Sequence, residues 1–378
     1  MNMEKTYLTL FSLLRQALGV EKENNLSALN EEEWTSVYQQ AKKQSVCGIA
    51  YEAVKQHNGK QCPPDDLLFM WTADAEIIKG RNCLLFEEAT RMTRLFAHEG
   101  HQTVILKGQA NALLYPNPYS RQSGDIDLWV EGGRKSVSEL IVKMGLTKQK
   151  NLKVETSYHH IHLPRLENGV TVEIHFRPSS GSHNPITNRR LQKFLEAEIL
   201  KSEPCQEGFN MPTMAFALMM QMSHIQRHFL GGGIGLRHII DYYELLTHTT
   251  QVVRADVAKR LKPMGLHWTA GAVMWVLGEV MHLSRGRMLI TPDEKRGRKM
   301  LSIIKEGGNF GQFGWQEEES VWKRWFIWKR QTWSLWSFDP WEIPWIEIRY
   351  WKIFLERLPL RIKHRTLSLN GVKLESDD

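Results

Sequence analysis

The sequence predicts an α+β protein in which a short strand-bearing segment lies between two helical regions. Three observations carry this reading. Apolar residues recur at roughly helical spacing over residues 1–98, strand-like apolar runs cluster between 99 and 180, and a helical pattern returns from 181 to 378. The chain has 378 residues, a length that suits two or three domains of roughly 100–200 residues each. The expected division is therefore 1–98, a helical region; 99–180, the mixed part; and 181–378, a helical region with a Trp-rich, basic end.

Leu8, Leu10, Phe11, Leu14 and Leu18 set the first helical pattern. A second helix is expected over Asn30–Gln40, because Asn30 is a good cap and Glu31, Glu32 and Glu33 place negative charge on the first turn. The Pro63-Pro64 pair breaks the chain, and a long helix should run from about Leu67 to His98, ending before Gly100. Strands are expected at Thr103–Leu106, Ile126–Val130, His159–Leu163 and Val170–Phe176, with helical stretches near Gln109–Leu114 and Lys135–Met144. The polar segment Pro164–Gly169 reads as the turn of a hairpin joining the last two strands. Thr213–Phe229 is strongly apolar, Gly231-Gly232-Gly233 interrupts it, and Gly235–Leu246 resumes the helical pattern. The polar tail, Ser368–Asp378, is expected to fray.

Composition narrows the function classes. Hydrophobic residues make up 42% and charged residues 24% of the chain, which excludes a mainly disordered chain, a collagen-like fibre and a disulfide scaffold. Lys and Arg number 49 against 42 Asp and Glu, a net +7. That mild excess permits an anionic partner, whether nucleotide, polynucleotide or lipid surface, without requiring one. No RNA-binding module is recognisable, so a nucleic-acid partner has no support beyond charge. Cys47, Cys62, Cys83 and Cys205 form no C-x-x-C pair and no zinc spacing, and a reduced cytoplasm is the simplest compartment. The first apolar run is broken by Arg15 and lacks a cleavage site, so no signal peptide is expected. The longest apolar stretch, near Met211–Met222, falls short of the roughly 20 residues a membrane span needs; a buried helix is expected there, and no integral membrane insertion.

The middle segment carries the chemistry. In a strand, residues i and i+2 face the same side, so Asp125 and Asp127 point together while Ile126 and Leu128 face a core. Two adjacent carboxylates repel unless a cation sits between them, and hard oxygen ligands suit Mg²⁺ or Mn²⁺. Gly124, just before the pair, allows a tight turn and the close approach of a ligand. A third acid comes from Glu173, which shares a face with His175 while Val172, Ile174 and Phe176 alternate with them. If this strand lies beside the Asp strand, three acids converge, a cluster able to hold two metal ions for in-line phosphoryl or nucleotidyl transfer. Glu173 would then ligate a metal or help deprotonate the acceptor hydroxyl. A lone D-x-D more often marks a solvated turn or a helix cap; the apolar frame, the preceding glycine and the later E-x-H strand set this one apart.

Taken together, Lys107-Gly108, Tyr115-Pro116, Arg121, Gly124-Asp125-Ile126-Asp127-Leu128 and Val172-Glu173-Ile174-His175 resemble the polymerase-β-type nucleotidyltransferase superfamily, and more narrowly its bacterial branch of uncharacterised nucleotidyltransferases. The resemblance is dense from Lys107 to Phe176, with weaker echoes at Gly235-Leu236-Arg237, Asp241 and Gly307-Gly308-Asn309-Phe310-Gly311. It implies a small mixed sheet with helices on it, a Gly-bearing turn along the triphosphate at Gly108, two metal-binding aspartates on one strand, Asp125 and Asp127, and a third acid, Glu173, on a neighbouring strand. The chain departs from the wider superfamily in having Lys107-Gly108-Gln109 where Gly-Ser is usual, and in a long gap from Gly108 to Asp125.

Other candidates stand beside plainer readings. Lys107 and Arg121 can neutralise a triphosphate or departing pyrophosphate, or pair with Asp125 or Asp127 when no metal is bound. Ser123 reads as a turn residue. His160 and His162 share a strand face with His159 opposite, and a nucleotide-contacting or hydrogen-bonded role is preferred there to a transition-metal site. His224 and His228, at i and i+4 without the Glu of a zinc protease motif, read as core or interface histidines. Arg237 and Asp241, also at i and i+4, read as an ordinary helical ion pair. The late tryptophans, 315, 322, 325, 328, 333, 336, 341, 345 and 351, are expected to pack against the rest of the protein, with an interfacial membrane helix or an acceptor-stacking surface as rivals.

The reading that results is a cytoplasmic, Mg²⁺- or Mn²⁺-dependent nucleotidyltransferase that moves an NMP group from an NTP donor to an unidentified hydroxyl acceptor. Asp125, Asp127 and Glu173 are its catalytic and metal-binding residues; Lys107, Gly108, Arg121 and Gly124 contact the nucleotide. The rival from another class is a non-catalytic binding or scaffold protein working through the Trp-rich end on a membrane or a polysaccharide. A third reading has the same site hydrolyse phosphoesters.

Overall fold

The computed structural model describes residues 3–21, 28–57, 59–147, 159–308, 321–356 and 358–363. Trp315, most of the Gly307–Gly311 echo and the tail Ser368–Asp378 lie outside them.

The chain opens with α1 (Met3–Ala17), which buries Tyr7, Leu10, Phe11 and Leu14, whereas Leu8 faces solvent. In α2 (Glu31–Lys43) the Asn30 side chain accepts from the Glu33 amide at 2.9 Å and the Glu33 carboxylate accepts from the Asn30 amide at 3.0 Å, a reciprocal cap that satisfies two otherwise orphaned donors. After α3 (Cys47–Val54), the helix α4 (Asp65–His98) begins directly behind the two prolines and continues for 34 residues.

A four-stranded sheet follows, built from β1 (Thr103–Ile105), β2 (Ile126–Val130), β3 (His160–His162) and β4 (Val172–His175), in the order β1-β2-β4-β3. Between β1 and β2 comes the single turn α5 (Gln109–Ala112), and between β2 and β3 comes α6 (Gly133–Lys143). The outer pairs, β1 with β2 and β3 with β4, are antiparallel, and the central pair, β2 with β4, is parallel. The expected turn is present: the Leu166 amide donates to the Val170 carbonyl at 3.0 Å and the Gly169 amide to the Leu166 carbonyl at 2.8 Å. The sheet is thus mixed and the fold α+β, as the sequence pattern predicts.

Beyond the sheet lie α7 (Pro185–Ile199), a small ribbon of β5 (Glu203–Pro204) and β6 (Asn210–Met211), then α8 (Met214–Gly231), α9 (Leu236–Thr247), α10 (Gln251–Leu261), α11 (His267–Met281) and α12 (Glu294–Gly307). Thr213 caps α8 by accepting from the Phe216 amide at 3.1 Å. The chain ends in α13 (Val321–Ser334), α14 (Ile343–Glu356) and α15 (Leu358–Lys363).

Two cores divide the interior. One contains Tyr7, Leu14, Trp34 and Ile49 from the first helices together with Met222, Ile239, Val273 and Ile304 from the later ones, so the two helical regions share one packed body. The other lies under the sheet and holds Ile126, Leu128, Val130, Val172 and Ile174. Helix α4 serves both: Leu67 and Trp71 enter the first core, and Leu85, Met92 and Phe96 the second. Among the described residues, no helix is long and apolar enough to cross a membrane.

Candidate active site

The alternation of β2 and β4 decides which side chains reach the site. Ile126, Leu128 and Val130, with Val172 and Ile174, turn one sheet face into the second core. Asp127, Glu173 and His175 therefore project from the opposite face. Parallel pairing sets Asp127 directly against Glu173 and Trp129 against His175. Asp125, one residue before β2, joins them on the wall of a cavity of about 770 Å³. Lys107, Gly108, Arg121 and Gly124 line the same cavity.

The acids are electrostatically unequal. Burial alone would raise the Asp127 carboxyl, but the Lys107 ammonium, which forms an ion pair with it, and His175 hold it far below the carboxylate range. Asp125 moves the other way: the charge on Asp127 and burial both push it up, and Lys107 compensates only in part. Glu173 is held down by its hydrogen bond from His175 despite burial. His175 presents Nε2 to Asp127 Oδ1 at 3.1 Å and stands 3.4 Å from Glu173 Oε2. The repulsion within the cluster therefore falls on Asp125, which Lys107 and Arg237 relieve only in part. Buried oxygen donors under mutual repulsion fit a hard divalent cation, which would relieve the strain on Asp125.

Gly108 and Gly124 differ in what they need. Gly108 has φ 63° at the head of α5, a backbone setting that side chains resist, and a Cβ there would lie 3.6 Å from the Asp125 carbonyl oxygen. Gly124 is not in the left-handed region, and a Cβ on it would meet nothing within 4 Å. The tight turn expected at Gly124 is therefore not what its backbone shows; the conformational demand for glycine falls on Gly108.

Arg121 is fully engaged from within. Its Nε and Nη2 donate to the two oxygens of Asp241 at 2.6 and 2.7 Å, the Tyr115 hydroxyl donates to the same carboxylate at 2.7 Å, and Nη1 donates to Ser123 at 2.8 Å. Asp241 is thus occupied by a residue 120 positions upstream, which corrects the expectation of a simple helical pair with Arg237. Arg237 donates to the Gln122 carbonyl at 2.8 Å, so both arginines brace the loop that delivers Asp125. The signal for this was Tyr115, Arg121 and Asp241 in one motif set, but no spacing rule connects residues so far apart.

The wall opposite the sheet comes from α8 and α9. His224, Arg227 and His228, at i, i+3 and i+4 of α8, line the cavity with Arg237 and His238. The His224 and His228 rings are 4.2 Å apart and those of His224 and His238 5.6 Å. Burial holds all three imidazoles neutral, with His228 lowered to about 4. The sequence pattern of a buried helix does not tell which face meets a cavity, so the core or interface place expected for His224 and His228 is corrected to the cavity wall.

The strand histidines are also rearranged. His159 precedes β3 in a bend and lies beside His160, ring centroids 4.3 Å apart, rather than on the opposite face. Burial lowers His159 to about 3 and His160 to about 4. Oxygens and ring nitrogens of Asp127, Glu173 and His175 lie within 4.8 Å of one another, as do those of His159, His160 and His175.

A family described as uncharacterised nucleotidyltransferases matches residues 30–282. The chain belongs to this family. No curated protein matches it. The matched stretch holds the whole sheet together with α8, α9 and α11, so both walls of the cavity belong to the nucleotidyltransferase family's shared region. A nucleotidyltransferase acts on a nucleoside triphosphate, such enzymes generally use divalent metals, and the acidic sheet face holds a cluster that could bind one.

Proposed function

We propose that this nucleotidyltransferase transfers a nucleoside monophosphate from an NTP to a hydroxyl acceptor, with Mg²⁺ or Mn²⁺ held by Asp125, Asp127 and Glu173. The observation that carries the reading is the direct pairing of Asp127 with Glu173 across parallel strands, with Asp125 beside them on the same cavity wall.

In this reading the acceptor oxygen bonds to the α-phosphorus, the bond from that phosphorus to the bridging oxygen breaks, and pyrophosphate leaves. The hydroxyl proton passes to a carboxylate of the cluster, with Glu173 as the acceptor of choice. A bound divalent cation supplies charge neutralisation for the phosphates and acidifies the attacking hydroxyl. Gly108 lets the backbone lie close to the triphosphate. Lys107 carries most of the compensating charge, because the Arg121 guanidinium is already matched by Asp241 and serves to hold the loop.

The test uses two labels. With NTP labelled at the α- or the γ-phosphate and a fractionated cell extract as acceptor source, γ-label should appear as pyrophosphate while α-label becomes attached to an acceptor. Release of orthophosphate, or of free NMP without an acceptor, would favour phosphoester hydrolysis instead.

A further inference from the structure

Beside the carboxylates, β3 and its leading bend bring together a set of nitrogen donors that the transfer reading does not use. His159 Nε2 and His160 Nδ1 are 2.9 Å apart. The His160 ring lies 5.1 Å from that of His175, and the His159 ring 5.5 Å. One ligand atom from each of these three histidines falls within 4.8 Å of the other two. Two nitrogens bound to a tetrahedral ion at about 2.0–2.1 Å stand roughly 3.3 Å apart, so the rings need only small shifts to share an ion.

His175 adds a second, independent observation. It is 5% exposed and points Nε2 at Asp127, while its Nδ1 is buried without a hydrogen bond. Metal-bound histidines commonly give their other ring nitrogen to a carboxylate, which fixes the tautomer and the ring. Asp127 fills that supporting place here. A buried nitrogen with no partner is otherwise a cost to the fold.

We propose that His159, His160 and His175 form a second metal site, for a borderline divalent ion of the zinc class, distinct from the hard-cation site of Asp125, Asp127 and Glu173. Three imidazoles suit such an ion, whereas carboxylate oxygens suit Mg²⁺. The ion joins the edge strand β3 to β4 and, by occupying one nitrogen of His175, leaves Nε2 as a fixed donor to Asp127. Its role toward the acids is positioning. The proposal stands apart from the transfer reaction, since an ion here needs no nucleotide.

The experiment is Co²⁺ titration of the metal-depleted full chain, with Co²⁺ as a spectroscopic stand-in for zinc. The expected result is one equivalent that gives the intense visible absorption of a tetrahedral site, set apart from the weak absorption of any Co²⁺ held by the oxygen ligands of the acid cluster. Affinity should fall at least about tenfold in His159→Gln and in His160→Gln, and stay unchanged in Asp125→Asn. X-ray absorption of the zinc-loaded wild-type chain, which needs no variant to fold, should count three imidazole nitrogens around the ion. The proposal is overturned by the lack of a saturable tetrahedral absorption, by an absorption that survives His159→Gln but is lost in His162→Gln or Asp125→Asn, or by an oxygen-dominated shell. Nucleotide transfer that persists with Mg²⁺ while Co²⁺ fails to bind would remove this second site and leave the transfer reading intact.

Discussion

Asp241 shows how one residue governs the site without facing the chemistry. It is 2% exposed and carries both a fork from Arg121 and a bond from Tyr115. Replacing it leaves a buried guanidinium unpaired, a loss that typically costs about 3–5 kcal/mol. Asp241→Asn should therefore lower stability by about that amount in urea denaturation, and should also weaken nucleotide binding because the Arg121–Asp125 loop loses its brace. Double replacement of both partners by apolar residues should cost less than the single change. At this scale the acids were legible in the sequence, since i and i+2 alternation places them without knowledge of the fold. The Arg121–Asp241 pair was not, because its members meet only after α8 and α9 have packed against the loop. His159 is illegible for a related reason: it precedes β3 in a bend, where strand alternation does not hold.

At the scale of elements, hydrophobic period and turn chemistry located the four strands of the main sheet and the helices α1, α2, α4, α5, α6, α8 and α9, but singled out none of α3, α7, α10, α11 and α12. The Asn30 cap, the prolines before α4, the hairpin turn and the Gly break after α8 are all local signals. The C-terminal helices were less legible, because tryptophan serves packing and exposed surfaces equally well. The structure divides them. Trp328 packs on the main core, whereas Trp333 and Trp336 stack on each other at 5.4 Å and, with Trp341 and Trp351, remain exposed. Ile343 and Ile346 of α14 enter the main core, and the turn before it adds polar contacts: Glu342 accepts from the His183 amide at 2.7 Å and the Asn184 amide at 3.2 Å, and Asp339 accepts from Gln226 at 2.9 Å. Burial raises Asp339 to about 6 and Glu342 to about 7, the latter helped by the charge of Asp339. The sign follows from linkage. Below the ordinary value of 4.5 for Glu342 both folded and unfolded chains hold the proton and the contribution is complete. As pH rises toward 7 the unfolded chain releases its proton first, so stability falls and then levels off. One pKa unit is about 1.4 kcal/mol, which makes the Glu342 contribution on the order of 3 kcal/mol. Melting temperatures between pH 5 and 8 should decline, and Glu342→Gln should flatten the decline; an unchanged slope in that variant would remove Glu342 as its source.

Over the whole molecule, the sequence divides into three parts but the interior divides into two cores. The helices before and after the sheet share one core, and α4 supplies side chains to both. Sequence periodicity shows which face of a helix is apolar, yet not which distant helix will cover it, so this sharing was not readable in advance. A chain that starts at residue 99 loses Leu85, Met92 and Phe96 from beneath the sheet. It should fail to fold on its own, seen as absent cooperative unfolding in a thermal melt; a cooperative transition would show the middle segment to be self-sufficient. The same sharing places the acid-bearing sheet face against α8 and α9, which closes the cavity from the other side.

The central claim is that this cavity binds an NTP through a divalent cation held by the three acids. Thermal-shift measurement of the full chain with each NTP, with and without Mg²⁺ or Mn²⁺, tests it most directly, because a ligand that binds the folded state raises the melting temperature by mass action. The account predicts a metal-dependent rise with at least one NTP that disappears in Asp125→Ala and in Asp127→Ala. No rise with any NTP, or one that persists in both variants, would contradict it.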